Sequence, residues 1–274
     1  MPELPEVETI MRGLSPHLEG LIIQEVIIRQ AQLRWSIPAH LNAFLKQQKI
    51  LGLRRRGKYL LIQVTTGTLI IHLGMSGSLR LLQHFTLPGR HDHVDIVLSD
   101  NKRLRYNDPR RFGAILIAEG DPFHHGLLQS LGIEPLDPNF NGNYLKQAAL
   151  RRRVSIKSFI MNSKIVTGIG NIYAAEALFL AQIHPLTEAG QLSQEQCDRL
   201  IQSIKDVLQA AILQGGTSLK DFVNSEGKPG YFSQKLKVYG RAGLPCLICN
   251  TPLQSIQLGQ RGTVFCKCCQ LLLS

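Results

Sequence analysis

The sequence lacks any long hydrophobic run: none of its apolar stretches approaches the ~20 residues that a helix needs to cross a bilayer. Ahead of its first motif it also shows no signal-peptide pattern, in which a charged stretch precedes an apolar one. We therefore expect a soluble protein in the cytoplasm, without a membrane partner. In that reducing compartment its six cysteines are better suited to binding a metal than to forming disulfides.

The chain also has few acidic residues: it contains 20 Asp and Glu, compared with 31 Lys and Arg. The resulting net charge of +11 favours a polyanionic partner, which means nucleic acid or an acidic membrane surface. Because the sequence offers nothing that would insert into a membrane, nucleic acid is the expected partner.

The hydrophobic pattern changes near residue 140, and a chain of 274 residues is long enough for two domains. Before that point, short segments rich in β-branched and apolar residues alternate with glycine-containing turns, as in an antiparallel sandwich or barrel. The predicted strands cover residues 21–28, 59–65, 69–73, 94–98 and 112–117. From residue 143 onward the apolar residues recur with helical spacing.

Four cysteines near the end of the chain form two pairs, Cys246-x2-Cys249 and Cys266-x2-Cys269, with sixteen residues between the pairs. Two such pairs on hairpin knuckles can surround one Zn²⁺ tetrahedrally, and a site with four thiolates leaves no open position for catalysis. Cys268 allows a second register with Cys266, but the two-residue gap makes the better loop. We expect one structural zinc, and we expect Cys197 to be a small buried residue.

These patterns together predict an α+β fold. An N-terminal antiparallel β-sandwich domain with a helix at its start covers residues 1–134, and a linker covers residues 135–143. A helical domain follows at residues 144–240, and a zinc-ribbon hairpin at residues 241–274.

The first residues allow two interpretations. Val7, Ile10, Met11 and Leu14 have the spacing of an amphipathic helix that starts near Pro5, and the acidic first turn suits a helix start. Pro2 is small enough to permit removal of Met1, which exposes a secondary amine beside carboxylates. An α-amino group has a pKa of roughly 7.7–8.0 against ~10.4 for lysine, so much more of it is neutral and nucleophilic.

Short motifs occur in one order along the whole chain. They are Met1-Pro2-Glu3-Leu4-Pro5-Glu6-Val7-Glu8-Thr9, Arg56-Gly57-Lys58-Tyr59-Leu60, His72-Leu73-Gly74-Met75-Ser76-Gly77, His91-Asp92-His93, Asp108-Pro109-Arg110-Arg111-Phe112-Gly113, Gly170-Asn171-Ile172-Tyr173, Gly215-Gly216 and the cysteine ribbon with Arg261-x-Thr263. With these motifs the sequence resembles the formamidopyrimidine-DNA glycosylases, which are DNA-repair enzymes.

The resemblance implies catalytic roles for four residues. Pro2 corresponds to the amine that forms a Schiff base with the damaged nucleotide, and Glu3 to a proton donor and shuttle. Lys58 corresponds to a proton donor in β-elimination, and Arg261 to a phosphate-binding arginine that assists δ-elimination. Glu6 matches an acidic position near the active site, although a carboxylate that only stabilises the helix start explains it nearly as well.

The resemblance also implies how damaged double-stranded DNA is bound by a monomer. Met75, Arg110 and Phe112 enter the duplex when the damaged base leaves the stack, because the vacated space must be filled. Two helices at residues 157–169 and 171–181 form a helix–two-turns–helix element, and residues 217–232 form a loop over the extruded base. The remaining implied DNA contacts are His72, His91, Arg152, Lys157 and Asn171.

Two other functions stay open. An endonuclease VIII-like glycosylase shares this chemistry but prefers oxidised pyrimidines; Leu4, Met75 and the long segment before Tyr231 favour the purine-excising branch. A zinc-dependent DNA-binding protein without catalysis would explain the charge and the ribbon, but not Pro2, Glu3 and Lys58. The chain departs from the family pattern at Lys267, where proline is usual, and in the apolar tail at residues 271–274.

Overall fold

A computed structural model describes residues 2–216 and 236–272 of the chain. The chain divides into two compact units, the first made of residues 1–130 and 212–233 and the second of residues 131–211 and 234–274. The boundaries that we predict at residues 134, 143 and 240 stay predictions. Among the helices in the described ranges, none combines the length and the low charge that a membrane span requires.

The first unit contains two antiparallel sheets of four strands each. One sheet has the order β1 (Ile23–Ile28), β6 (Asp92–Leu98), β7 (Arg103–Asn107) and β5 (Ser78–Leu82). The other has the order β2 (Ile50–Arg56), β3 (Tyr59–Val64), β4 (Gly67–His72) and β8 (Ala114–Glu119). Buried apolar side chains from both sheets belong to one core, so the predicted β-sandwich is confirmed.

Helix α1 (Leu4–Leu18) precedes the sandwich and packs against β2 and β3. Val7, Ile10 and Leu14 lie on one face of the helix and are fully buried in the sandwich core. Pro5 is tolerated because the first turn of a helix has no partner for its N–H groups. The predicted N-terminal helix is therefore confirmed. Two short α-helices, α2 (Leu41–Leu45) and α3 (Gly126–Gln129), and a 3-10 helix at Pro122–His124 complete the helices of residues 2–130.

Three strands of the sandwich, β2, β5 and β7, are missing from the sequence prediction because they carry arginines. In β7 the side chain of Arg105 is buried, and its Nε donates to Asp95 Oδ1 at 2.7 Å. Burial by itself would raise the pKa of Asp95, but hydrogen bonds from Arg105 and Arg29 lower it to about 2. The pairing with Asp95 makes an arginine compatible with a buried strand.

The second unit contains α4 (Gly142–Ala149), α5 (Ile156–Ile160), α6 (Asn171–Leu180) and most of α7 (Gln194–Leu213). The segment predicted as a linker includes Phe140, which is fully buried, and Asn141, whose side chain caps α4 by accepting the Tyr144 N–H at 2.9 Å. Cys197 is buried in α7, as expected, and burial raises the pKa of its thiol.

The helix predicted at residues 157–169 is wrong in length, since α5 ends at Ile160. The Asn162 side chain accepts the Lys164 N–H at 3.0 Å, and its backbone carbonyl accepts the Ile165 N–H at 2.9 Å. These bonds form a turn that competes with the helical ladder. The following helix, predicted at residues 171–181, is confirmed as α6.

A hairpin of β9 (Gln254–Leu258) and β10 (Arg261–Phe265) lies near the end of the second unit. Apolar side chains of the hairpin region pack against Ala175 and Phe179 of α6, together with the buried thiols of Cys246 and Cys266. This core is small, and a metal is a common way to stabilise such a module.

Candidate functional site

Pro2 and Glu3, just before α1, and Glu6, in its first turn, are buried. Glu3 is the N-cap of the helix, and the carboxylate of Glu6 accepts the Glu3 backbone N–H at 2.8 Å. This bond belongs to a capping box, which fixes the direction in which the chain enters the helix. Glu6 thus supports the backbone next to Pro2, a more specific role than stabilising the helix dipole.

Lys58 lies in a two-residue turn between β2 and β3, where Gly57 has φ +55°. The neighbouring Arg55 connects this turn to α1: its Nε donates to Glu8 Oε2 at 2.7 Å and its guanidinium donates to the Gly57 carbonyl at 3.1 Å. Burial would raise the pKa of Glu8, but the hydrogen bonds and charges of Arg55 and Arg12 hold it below its usual value. Helix α1, which directly follows Pro2 and Glu3, and the turn with Lys58 are therefore coupled.

His72, at the end of β4, is a neutral imidazole near Lys58. Burial, followed by the positive charges of Lys58 and Arg34, lowers the pKa of His72 to about 4, against a weaker opposing effect of Asp108. Its Nδ1 accepts the Gly74 N–H at 3.1 Å, so the proton of the neutral ring is on Nε2. His72 therefore presents a hydrogen-bond donor and no charge at neutral pH.

Replacing His72 tests this assignment. His72 takes up a proton below about pH 6.5 in the unfolded chain but only near pH 4 in the folded chain. The wild type should therefore lose stability as the pH falls through this window. Relative to His72→Gln, the free energy of unfolding should fall by at most about 3 kcal/mol between pH 7 and pH 4. Urea titrations at several pH values measure this difference, and a constant difference would contradict the assignment.

The residues predicted to fill the space of an extruded base lie on two neighbouring loops of the first unit. Met75 is 41% exposed and Phe112 is 44% exposed, although both are large apolar side chains. The guanidinium of Arg110 stacks over the Phe112 ring, 4.8 Å from its centroid. Neither Met75 nor Phe112 is therefore a core residue, and both are available to a partner.

The two loops touch through their backbones. Gly74 has φ +62°, and a Cβ at this position would overlap the backbone of Phe112. At Gly113 a Cβ would overlap the Tyr106 hydroxyl and the carbonyl of His72. Glycine is needed at both positions for the close approach.

The second unit brings Lys157, Asn171 and Thr263 together. The Lys157 ammonium donates to Asn171 Oδ1 and to Thr263 Oγ1, each at 2.6 Å, and the side chain is 1% exposed. Asn171 is the first residue of α6, and its amide donates to the Gly262 carbonyl at 3.1 Å. Lys157 thus joins the start of a helix to the hairpin, and a helix start is suited to binding phosphate.

Two further predicted DNA contacts of this unit are exposed arginines. Arg261 is the first residue of β10, directly after the turn from β9, and Arg152 lies between α4 and α5. A cleft of about 220 Å³ separates α5 from the hairpin and is lined by Lys157, Asn162 and Arg261, among others. In the first unit, His91 is partly buried and its carbonyl accepts the Asp108 N–H at 3.0 Å.

The thiols of Cys246, Cys249, Cys266 and Cys269 lie within 4.8 Å of one another. The sulfur–sulfur distances are 3.9 Å for Cys246 and Cys269 and 3.4 Å for Cys249 and Cys266. A tetrahedral zinc with Zn–S bonds of about 2.3 Å requires sulfurs about 3.8 Å apart, so the four thiols fit one zinc. Cys268 lies outside this cluster and accepts a hydrogen bond from Thr251 Oγ1, as the preferred register predicts.

Two buried carboxylates with a clear structural role were missed in the sequence. Glu176 is 4% exposed and accepts the N–H groups of Lys237, Val238 and Tyr239, at 2.8–2.9 Å. A single acid in the apolar run of α6 was a signal that could have revealed it. Asp108 is fully buried, and the sequence motif that contains it indicates no role for it.

Two predictions concern residues that the structure leaves wholly or partly undescribed. The loop predicted at residues 217–232 lies outside the described residues. In the tail, Leu271 and Leu272 are exposed, whereas residues 273–274 are likewise not described.

Models of known domains match most of the chain. The formamidopyrimidine-DNA glycosylase N-terminal domain matches residues 1–115, and the formamidopyrimidine-DNA glycosylase H2TH domain matches residues 131–223. A zinc finger found in FPG and IleRS matches residues 243–271. Together with the four clustered thiols, the last match confirms the prediction of one structural zinc.

Whole proteins resemble the chain over its full length. Formamidopyrimidine-DNA glycosylase of Nitrosococcus oceani is 53% identical over 98% of this chain and 100% of that protein. The crystal structure of MutM (FPG) from Thermus thermophilus matches with a TM-score of 0.89 and 34% identity over 100% of both chains. Lactococcus lactis Fpg in complex with DNA that contains an abasic site matches with a TM-score of 0.91 and 33% identity, over 98% of this chain and 99% of that one.

Proposed function

The chain belongs to the family of formamidopyrimidine-DNA glycosylases, and on this premise we propose that it excises oxidised purines from duplex DNA and then cuts the strand. The substrates are 8-oxoguanine and formamidopyrimidines, and the protein is a monomeric enzyme of base excision repair in the cytoplasm, at the nucleoid. The main support is the 53% identity, over 98% of the chain, to a formamidopyrimidine-DNA glycosylase, combined with the buried positions of Pro2 and Glu3 just before α1.

The proposed reaction begins at the amine of Pro2. Its nitrogen attacks C1′ of the damaged nucleotide, and the bond from C1′ to the base breaks, so that the base leaves with the electron pair and takes up a proton. The Pro2 nitrogen loses its proton, the C1′–O4′ bond breaks and O4′ takes up a proton, which gives an iminium ion whose positive nitrogen acidifies the C2′ proton. Loss of that proton expels the 3′ phosphate, and a second elimination expels the 5′ phosphate, which leaves a one-nucleotide gap.

Proton transfers in this sequence are assigned to neighbouring groups. Glu3 follows the nucleophile directly and is held by the bond from its N–H to Glu6, which supports a role as proton donor and shuttle. Lys58 is assigned to donate a proton during β-elimination, and Arg261 to bind a phosphate and assist δ-elimination. The coupling of α1 to the turn of Lys58 through Glu8 and Arg55 supports the first of these assignments.

DNA binding is assigned to both units. Asn171, Arg152 and Lys157 are proposed phosphate contacts of the second unit, with Lys157 acting through the groups that it holds, because its ammonium is buried. His72 and His91 are proposed DNA contacts of the first unit. The net charge of +11 supports a large phosphate contribution, which should make the affinity fall steeply with salt.

Substitutions in the two exposed loops test the proposed entry of side chains into the duplex. Met75→Ala, Arg110→Ala and Phe112→Ala should each slow excision of 8-oxoguanine by about tenfold or more, since extruding an intact base costs a few kcal/mol. Cleavage at a ready-made abasic site should change much less, because no base has to leave the stack. Single-turnover rates on both duplexes measure the contrast; equal losses on both would assign these residues to folding or general binding.

A panel of three duplexes distinguishes the proposal from its alternatives. The wild type should release 8-oxoguanine and formamidopyrimidine faster than an oxidised pyrimidine placed in the same sequence. The opposite order would favour an endonuclease VIII-like enzyme. Binding without release of any base, and without cleavage at an abasic site, would favour a zinc-dependent DNA-binding protein.

A further inference from the structure

The carboxylate of Asp108 lies fully buried between the two loops that carry Met75, Arg110 and Phe112. Its Oδ1 accepts the Ser76 hydroxyl at 2.8 Å and the Arg110 N–H at 3.3 Å. Its Oδ2 accepts the Gly113 N–H at 2.9 Å and the Tyr106 hydroxyl at 3.2 Å. The Asp108 side chain therefore binds Ser76 in the Met75 loop, Gly113 at the end of the Arg110–Phe112 loop, and Tyr106 in β7.

The backbone of Asp108 extends these connections to the segment of His91. Its N–H donates to the His91 carbonyl at 3.0 Å, and its carbonyl lies 2.8 Å from His93 Nε2. A buried hydrogen-bond network in which each polar group has a partner is rigid. Asp108 thus has the contacts to fix the loops in one arrangement.

Ser76 makes the most direct link between the loops. Its hydroxyl donates to Asp108 Oδ1 and accepts the Arg110 N–H at 3.3 Å, although Ser76 is only 6% exposed and Met75 beside it is 41% exposed. Since a hydroxyl can donate and accept at once, this one group ties the backbone beside Met75 to the backbone of Arg110. The side chains of Met75 and Arg110 are therefore attached to backbone segments that are held in place.

We propose that Asp108 and Ser76 are positioning residues for base extrusion: they hold the Met75 loop and the Arg110–Phe112 loop as one rigid wedge. This inference rests on the proposed function, since it assigns these loops to the duplex. The physical reason is preorganisation: a wedge that is already ordered loses less conformational entropy when it replaces a base in the stack. Neither Asp108 nor Ser76 needs to touch the DNA.

The test uses Ser76→Ala and Asp108→Asn in the full chain. Single-turnover rates are measured on a duplex with 8-oxoguanine and on the same duplex with a ready-made abasic site. We expect excision of 8-oxoguanine to fall about tenfold in each variant, which corresponds to losing one or two net hydrogen bonds, and abasic cleavage to change by less than about twofold. A fluorescent base analogue placed next to the lesion should report slower unstacking.

Ser78→Ala is the matched control, because Ser78 is also 6% exposed but lies in β5 and outside both loops. It should excise 8-oxoguanine at the wild-type rate. A second check combines Ser76→Ala with Met75→Ala: if Ser76 acts by positioning the Met75 loop, its effect should shrink when the Met75 side chain is absent.

The possible failures are distinguishable. Should Asp108→Asn not fold, Ser76→Ala, which removes one hydroxyl, still decides the matter. Wild-type excision by both variants, or equal losses on both substrates, would overturn the positioning role while leaving the proposed function intact. A wild-type protein that excises no oxidised purine would overturn the proposed function, and this inference with it.

Discussion

Blocking the amine of Pro2 is expected to abolish both base excision and strand cleavage. If extra residues precede Pro2, its nitrogen becomes an amide, whose lone pair is delocalised and does not attack C1′. Loss of a covalent nucleophile should lower the rate by at least about a thousandfold, the scale found when such groups are removed from other enzymes. Single-turnover assays on an 8-oxoguanine duplex and on an abasic duplex measure both steps.

Two controls separate the amine from its surroundings. The same extra residues placed after Ser274 should leave the activity unchanged, which excludes an effect of added length. Lys58→Ala should slow elimination and still allow covalent attack, since Lys58 is assigned to proton transfer. Substantial activity in the extended protein would show that Pro2 is not the nucleophile.

Cys249→Ser is expected to release zinc and to abolish DNA binding while most of the fold remains. The hairpin has a small core, so its stability depends on the metal, and folding and metal binding are coupled there. When the hairpin loosens, Thr263 and Gly262 no longer hold Lys157 and Asn171 in place. The affinity for an abasic duplex, measured by fluorescence anisotropy, should fall by at least about a hundredfold, as a loss of several phosphate contacts implies.

Cys268→Ser provides the matched control, because this exposed thiol is adjacent to a ligand and outside the cluster. It should keep its zinc, measured by atomic absorption, and bind the duplex like the wild type. If Cys268→Ser loses its zinc, the metal register that we assign is incorrect. If Cys249→Ser keeps its zinc, Cys249 is not a ligand.

Strands and helices with a regular apolar pattern were predictable from the sequence, whereas those stabilised by distant partners were not. β3 consists mainly of apolar residues, β4 has an apolar run at its centre and α1 has a regular apolar face, so local sequence is enough. In β7, arginines alternate with apolar residues. The carboxylate of Asp95, on the neighbouring β6, explains how Arg105 can be buried there. Partners of this kind depend on the tertiary fold and leave no periodic signal.

The candidate site shows the same division. The cluster of four thiols was predictable from the cysteine spacing, because the two ligands of each pair are close in sequence. The contact of Lys157 with Thr263 joins residues 106 positions apart, and the bond of Ser76 to Asp108 spans 32 positions. No local pattern indicates such pairings: the resemblance implied a DNA contact for Lys157 and no role for Asp108, whereas both side chains make internal hydrogen bonds.

The central claim is that Pro2 is the nucleophile, and the most direct measurement is the position of the covalent adduct. Borohydride reduces an iminium ion and should trap the protein on DNA that contains an abasic site. Proteolysis and mass spectrometry of the reduced complex should then place the sugar fragment on the peptide that begins with Pro2, after removal of Met1. An adduct on Lys58, or undiminished trapping with a blocked N-terminus, would contradict the account.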